Sequence, residues 1–161
     1  MRRYFVPGAL LSAIMLAITL FSGVTPASAV IVGSVCRNMY SNAHSHQARA
    51  CVSVDVSSTN PASFRARAWI GKYSSTSTGT ISNGCVNHLA LNIQSTGTVR
   101  EINFACNNPS GTRVYFYTNY FTQKYIYAQS GVYNICLYYT DGSHACTATS
   151  SWFYSDWVYI S

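Results

Sequence analysis

The side chains that could carry chemistry are few: four histidines, four carboxylates and six cysteines in 161 residues. His44-Ser45-His46 sets two imidazoles at i and i+2, which point the same way on an extended segment and could chelate a metal if a third ligand arrived. His88, His144 and Asp55 are the side chains able to complete such a set. The Ser, Asn and Gln residues around the pair read instead as an exposed loop, so no metal and no other cofactor is expected. Acid–base work by two carboxylates would have to draw on Asp55, Glu101, Asp141 and Asp156. Asp141 is already accounted for by a turn, Thr140-Asp141-Gly142, and Glu101 stands beside Arg100 on the polar face of a hairpin. The chain has no Gly-x-Ser-x-Gly elbow, no His-Glu-x-x-His pair and no phosphate-cradling glycine loop. No catalytic residue is assigned.

The cysteines depend on the compartment, and the first 29 residues suggest one. Arg2 and Arg3 are followed by an apolar run from Ala9 to Phe21 and by Ala27-Ser28-Ala29 ahead of Val30, the pattern of a cleaved secretory leader. The run is well short of the roughly 20 residues that span a bilayer, so no membrane anchor is expected after cleavage. Arg2-Arg3 before Phe5 weakly suggests a twin-arginine signal, with ordinary secretion the default. An exported chain works in an oxidising compartment, where Cys36, Cys51, Cys85, Cys106, Cys136 and Cys146 form a disulfide framework.

Residues 30–161 are then expected to make a single domain. Beyond the leader, eight basic side chains face four acidic ones, leaving about +4. The basic residues are scattered, with Arg65 and Arg67 the one close pair, so no clustered nucleic-acid footprint is visible. A mild preference for acidic partners is all the charge implies.

The elements that must position these residues are strands. The chain holds thirteen tyrosines, three tryptophans and few charges, a composition suited to pleated, half-buried surfaces. Short apolar segments alternate with Gly, Asn, Ser and Asp clusters and no segment keeps a helical period. The expected fold is all-β, a small disulfide-stabilised antiparallel β-sandwich. Phe64, Ala66, Ala68 and Ile70 share one face of a strand, and Leu89, Leu91 and Ile93 share one face of another. Val114–Phe121, Tyr125–Ala128, Val132–Tyr139 and Trp152–Ile160 are aromatic-rich strands of the same kind.

Hairpin geometry suggests a pairing for the cysteines, because opposed residues keep a constant index sum. A Thr140-Asp141-Gly142 loop opposes Tyr139 to Ser143 and so Cys136 to Cys146. A turn around Ser95, Thr96 and Gly97 that opposes Ile93 to Thr98 also opposes Leu89 to Ile102 and Cys85 to Cys106. That register predicts Cys85, Leu89, Leu91, Ile93, Ile102, Phe104 and Cys106 on one buried face. Cys36 with Cys51 would complete the set, one scheme among the fifteen that six cysteines allow.

Three sets of residues could bind a partner. Arg65, Arg67 and Trp69 project from the face opposite Phe64 and Ile70 as a cationic–aromatic stripe, or else Trp69 packs beneath a loop and the arginine stems cover tyrosines. Val30, Ile31 and Val32 begin an apolar, β-prone stretch to Val35 that either completes its own sheet or adds itself to a partner. Trp152, Tyr154, Trp157 and Tyr159 could stack on sugar rings; Phe153, Val158 and Ile160 oppose them, and at least one of these faces must be core.

In layout the chain is similar to small secreted protease inhibitors and to the small adaptor subunits of bacterial secreted toxin assemblies. The shared features are the leader through Ala29, the apolar start Val30–Val35 and a disulfide-pinned β body; the resemblance carries no site across. The residues themselves read as a secreted, non-enzymatic protein that engages another extracellular protein, as an adaptor or an inhibitor. A carbohydrate-binding, lectin-like module is the alternative, and a small secreted hydrolase the third reading.

Overall fold

The computed structural model describes residues 29–147 and 151–161. The expected leader lies outside them up to Ser28. Eleven strands form two antiparallel sheets: β1 (Val30–Tyr40), β2 (Gln47–Val56), β3 (Ser63–Lys72), β4 (Ile81–Ile93), β5 (Gly97–Asn107), β6 (Arg113–Tyr117), β7 (Phe121–Thr122), β8 (Ile126–Tyr139), β9 (His144–Cys146), β10 (Trp152–Tyr154) and β11 (Val158–Ile160). The first sheet runs β1-β2-β3-β6 with β7 also on β3, and the second runs β10-β8-β4-β5 with β9 and β11 also on β8. The fold is all-β and sandwich-like.

The two inner faces differ in bulk. The first sheet contributes Ala48, Ala50, Ala66 and Ala68 among Val52, Val54, Phe64 and Ile70, whereas the second contributes Val86, Leu89, Leu91, Ile93, Val132, Ile135 and Leu137. Small residues on one face leave room for large ones on the other, which is how two pleated surfaces reach close packing. Phe64–Ile70 alternates as its sequence implied: Phe64, Ala66, Ala68 and Ile70 are fully buried, and Arg65 and Arg67 face outward.

The disulfides join hairpin neighbours: Cys36–Cys51 across β1 and β2, Cys85–Cys106 across β4 and β5, and Cys136–Cys146 across β8 and β9. Three disulfides are typical of extracellular proteins. The β8–β9 turn is the expected one, with Gly142 at φ 85° and its N–H donating to Tyr139 O.

The β4–β5 hairpin corrects the expected facing. Leu89↔Ile102 and Cys85↔Cys106 pair as expected, but the ladder shifts after Leu91, so that Ile93 pairs with Gly97 rather than with Thr98. The expected common face is also split. Between Val86↔Ala105 and His88↔Asn103 both strands carry an extra residue, Asn87 and Phe104, and β8 inserts Asn134 at the same level. Each insertion reverses the alternation that follows it while leaving the pairing sum unchanged. Phe104 takes φ 54° and is 67% exposed, and Cys85 and Cys106 lie on the outer face while Leu89, Leu91 and Ile93 lie in the core.

Three other strand boundaries differ from the sequence expectation. Val114–Phe121 is broken at residues 118–120 into β6 and the start of β7, where Thr118 Oγ1 accepts from Ala66 N–H and donates to Asn119 O. The expected strands Tyr125–Ala128 and Val132–Tyr139 merge into one central strand, β8, which starts at Ile126 after Tyr125 at φ 58°, because the polar and small link Gln129-Ser130-Gly131 is covered by the C-terminal segment. Ser155 N–H donates to Ser130 O, and Ser130 N–H donates to Ser155 Oγ. Trp152–Ile160 is broken at this tie into β10 and β11.

Candidate functional site

The outer face of the first sheet gathers four arginines and a row of rings. Register places Arg65 opposite Asp55, Arg67 between Ser53 and Tyr117, and Trp69 between Cys51 and Tyr115. The Arg65 guanidinium lies 4.1 Å from the Tyr117 ring centroid and 4.6 Å from that of Tyr120. Arg67 lies 5.2 Å from Tyr115, and Arg113 lies 4.2 Å from Trp69. Arg65 Nε–H also donates to Asp55 Oδ2 at 2.7 Å. Arg49 pairs with Gly71 on the same face. Gly71 matters here because an added Cβ would stand 2.3 Å from Thr112 O and 2.8 Å from Arg113 Cγ, so a larger residue would displace the strand that carries Arg113.

Of the expected stripe, Arg65 and Arg67 project together, but Trp69 is only 9% exposed beneath Arg113. The indole is thus a base for the guanidinium more than a contact surface. Tyr115, Tyr117, Tyr120 and Arg113 were missed from the sequence because β6 joins β3 across an interval of some 40 residues in the chain, which no local pattern reveals.

The outer face of the second sheet is aromatic and nearly uncharged. Trp152↔Tyr133, Tyr154↔Gly131 and Tyr159↔Tyr127 form successive pairs along β8. Trp152 and Tyr154 are near-parallel (17°) with centroids 5.9 Å apart, and Tyr159 packs on Tyr127 at 5.1 Å. Phe153 and Ile160 are buried opposite them, and Trp157 stands exposed before β11. His88 Nε2 lies 3.0 Å from Glu101 Oε2, and the His88 ring meets Trp152 edge-on at 5.0 Å.

Val30, Ile31 and Val32 complete their own sheet, pairing with Val56, Asp55 and Val54 at its edge. Val30 and Val32 also line an apolar groove of about 340 Å³ against Val158 and Ile160. Gly33, at φ 63°, lets this strand approach the β10–β11 link, where Asp156 N–H donates to Gly33 O.

The histidine pair is not an exposed loop. His44 is exposed at φ 53°, but His46 is 9% exposed and packs on Tyr139 at 4.4 Å. Its Nε2–H donates to Asp141 Oδ2 at 2.8 Å, and its Nδ1 lies 3.0 Å from Thr78 Oγ1. The Thr78 hydroxyl donates to Ser45 O, so it is committed to the backbone, and the line Thr78–His46–Asp141 ties three loops together. Asp141 therefore pairs with His46 and not with the adjacent His144, which packs on Tyr138. The four carboxylates lie apart, on the two opposite outer faces, the β8–β9 turn and the β10–β11 link. Among the described residues no group of three or more His, Cys, Asp or Glu is placed to hold a metal.

No protein-family model, curated protein or solved structure matches the chain. What the molecule does is therefore read from its own surfaces.

The His46 tie has a measurable consequence. The hydrogen bond from His46, helped by the Ser143 hydroxyl and backbone N–H, holds the Asp141 carboxyl down to about 2 from the ordinary 3.8. A depressed carboxyl contributes stability that is present above its unfolded value and lost as pH falls through its folded value. Thermal midpoints measured at steps from pH 5 to pH 2 are expected to fall across the lower part of that range. Asp141→Asn should flatten this decline, and an unchanged pH profile in that variant would contradict the role of the tie.

Proposed function

We propose that the chain is a secreted, non-enzymatic binding protein that engages another extracellular protein through the outer face of the first sheet, as an adaptor or an inhibitor. The observation that carries this is the array in which Arg65, Arg67 and Arg113 each lie against a ring of Trp69, Tyr115, Tyr117 or Tyr120. Arginine and aromatic side chains dominate the energetics of protein interfaces, and rings that hold guanidiniums in place reduce the rotamer entropy lost on binding. With Arg49 added, four cations face one buried aspartate, so the complementary partner surface is acidic. Three disulfides suit work outside the cell.

Affinity capture from the native culture fluid with a C-terminally tagged chain tests this. The expected result is one stoichiometric protein, retained less as salt rises and lost when Arg67→Glu and Arg113→Glu are combined. Undiminished capture by that double variant, or no protein partner for the unaltered chain, would sink the proposal.

A further inference from the structure

We infer that the outer face of the second sheet is a binding platform for a neutral polysaccharide of equatorially substituted pyranose rings, such as a β-linked glucan. This inference stands independently of the arginine face. A cradle of small residues turns the rings outward. An added Cβ at Gly131 would stand 2.7 Å from Tyr154 Cε1, 2.8 Å from Tyr154 Cδ1 and 3.1 Å from Trp152 Cε3. Both side chains therefore reach over β8, into the space that any other residue at position 131 would fill. Beside Gly131 in the same row stands Ala90, again small.

Rings held over the outer face of a sheet are available to a ligand where they are exposed. Tyr154 is 42% exposed and Tyr159 is 51% exposed. Among the described residues the cation–ring contacts fall on other rings and none on Trp152, Tyr154, Tyr127 or Tyr159. From Tyr127 to Tyr133 the aromatic positions extend about 20 Å along β8, long enough for several sugar rings in line.

A pyranose with equatorial hydroxyls carries axial C–H bonds on both faces, which stack on aromatic planes, and hydroxyls around its rim, which need polar partners. Those partners stand in the same rows. Glu101 is opposite Ala90 in the Tyr154 row, and Asn103 is opposite His88 in the Trp152 row. His88 Nε2 lies 3.0 Å from one Glu101 oxygen, and Asn103 Nδ2–H donates to the other at 3.3 Å. The carboxylate is thereby oriented while its side chain stays about half exposed. Charge selects between the two sheet faces. Four arginines favour an anionic partner on the first, while the second offers one carboxylate beside an imidazole and suits a ligand with no charge.

Native gel electrophoresis with soluble hydroxyethylcellulose in the gel tests this, with α-linked dextran and dextran sulfate as controls. The unaltered protein should be retarded by the cellulose ether and not by dextran. Tyr154→Ala and Trp152→Ala should each weaken retardation by about tenfold or more. Gly131→Ala should weaken it with every ring retained, and the solvent-facing Tyr154→Ala decides the matter if that variant fails to fold. The Arg67→Glu and Arg113→Glu double variant should be retarded as before, which separates this site from the protein-binding face. Absence of retardation, retardation unchanged by Tyr154→Ala, or retardation by dextran sulfate alone would each overturn the inference.

Discussion

Arg65→Ala is expected to lower stability by about 3 kcal/mol, far more than losing an arginine from a solvent-facing strand position usually costs. The reason is Asp55, a carboxylate that is 1% exposed on the β2 strand directly opposite. Its Oδ2 accepts from Arg65 Nε–H at 2.7 Å, and its Oδ1 has no hydrogen-bond partner among the described residues. Without the guanidinium the buried charge has nothing to compensate it, and the rings of Tyr117 and Tyr120 lose their cover. Asp55→Ala should be milder, because the guanidinium it strands is partly in water. Combining the two should therefore be less harmful than Arg65→Ala alone, with a coupling of about 2 kcal/mol. Urea unfolding of the four proteins measures this directly, provided that the denaturant slope is unchanged. An Arg65→Ala protein within 1 kcal/mol of the unaltered one would show that the pair contributes nothing net.

Stability and recognition thus overlap at Arg65 but separate at its neighbours. Arg67 and Arg113 rest on rings, and among the described residues neither guanidinium forms an ion pair. Reversing their charge should alter the surface while leaving the core intact. This is why they, and not Arg65, are the informative positions for partner capture.

What could be read from the chain follows the range of the interactions. The alternation Phe64-Arg65-Ala66-Arg67-Ala68 fixes one face of β3 because a strand's side chains switch sides at every residue. The turn Thr140-Asp141-Gly142 fixes the neighbouring disulfide because a tight loop sets register. Both are local. The line of insertions at Phe104, Asn87 and Asn134 was hidden, since three simultaneous one-residue additions preserve the pairing sum while reversing the faces. The burial of His46 is illegible in the sequence for a different reason. Its buried setting depends on Asp141, 95 positions away, and on Thr78, 32 away, and neither partner has a sequence signature. The same holds for the two candidate surfaces: Arg65 and Arg67 were visible on one strand, but Tyr115, Tyr117 and Arg113 arrive only with β6.

Replacing Cys36 and Cys51 together by Ala is expected to cost about 3 kcal/mol, the chain-entropy value for a loop of roughly 15 residues, which is the separation of this pair. The damage should concentrate in β1. This strand is an edge, paired along its length with β2 alone, and its ladder is interrupted between Val32 and Val35. The disulfide stands immediately after that interruption, so it is what keeps Val30, Ile31 and Val32 in register with Val54 to Val56. Central β4 and β8 each have strands on both sides and should keep their protection. Hydrogen exchange read by mass spectrometry should therefore show early loss of protection in peptides from β1 and little change in those from β8. Once released, the apolar Val30–Val35 stretch is free to pair elsewhere, so the variant should also self-associate as its concentration rises, whereas the disulfide-bonded chain should not. A variant with uniform loss of protection across both sheets would mean that the disulfide acts on the whole fold and that β1 has no separate freedom to engage a partner.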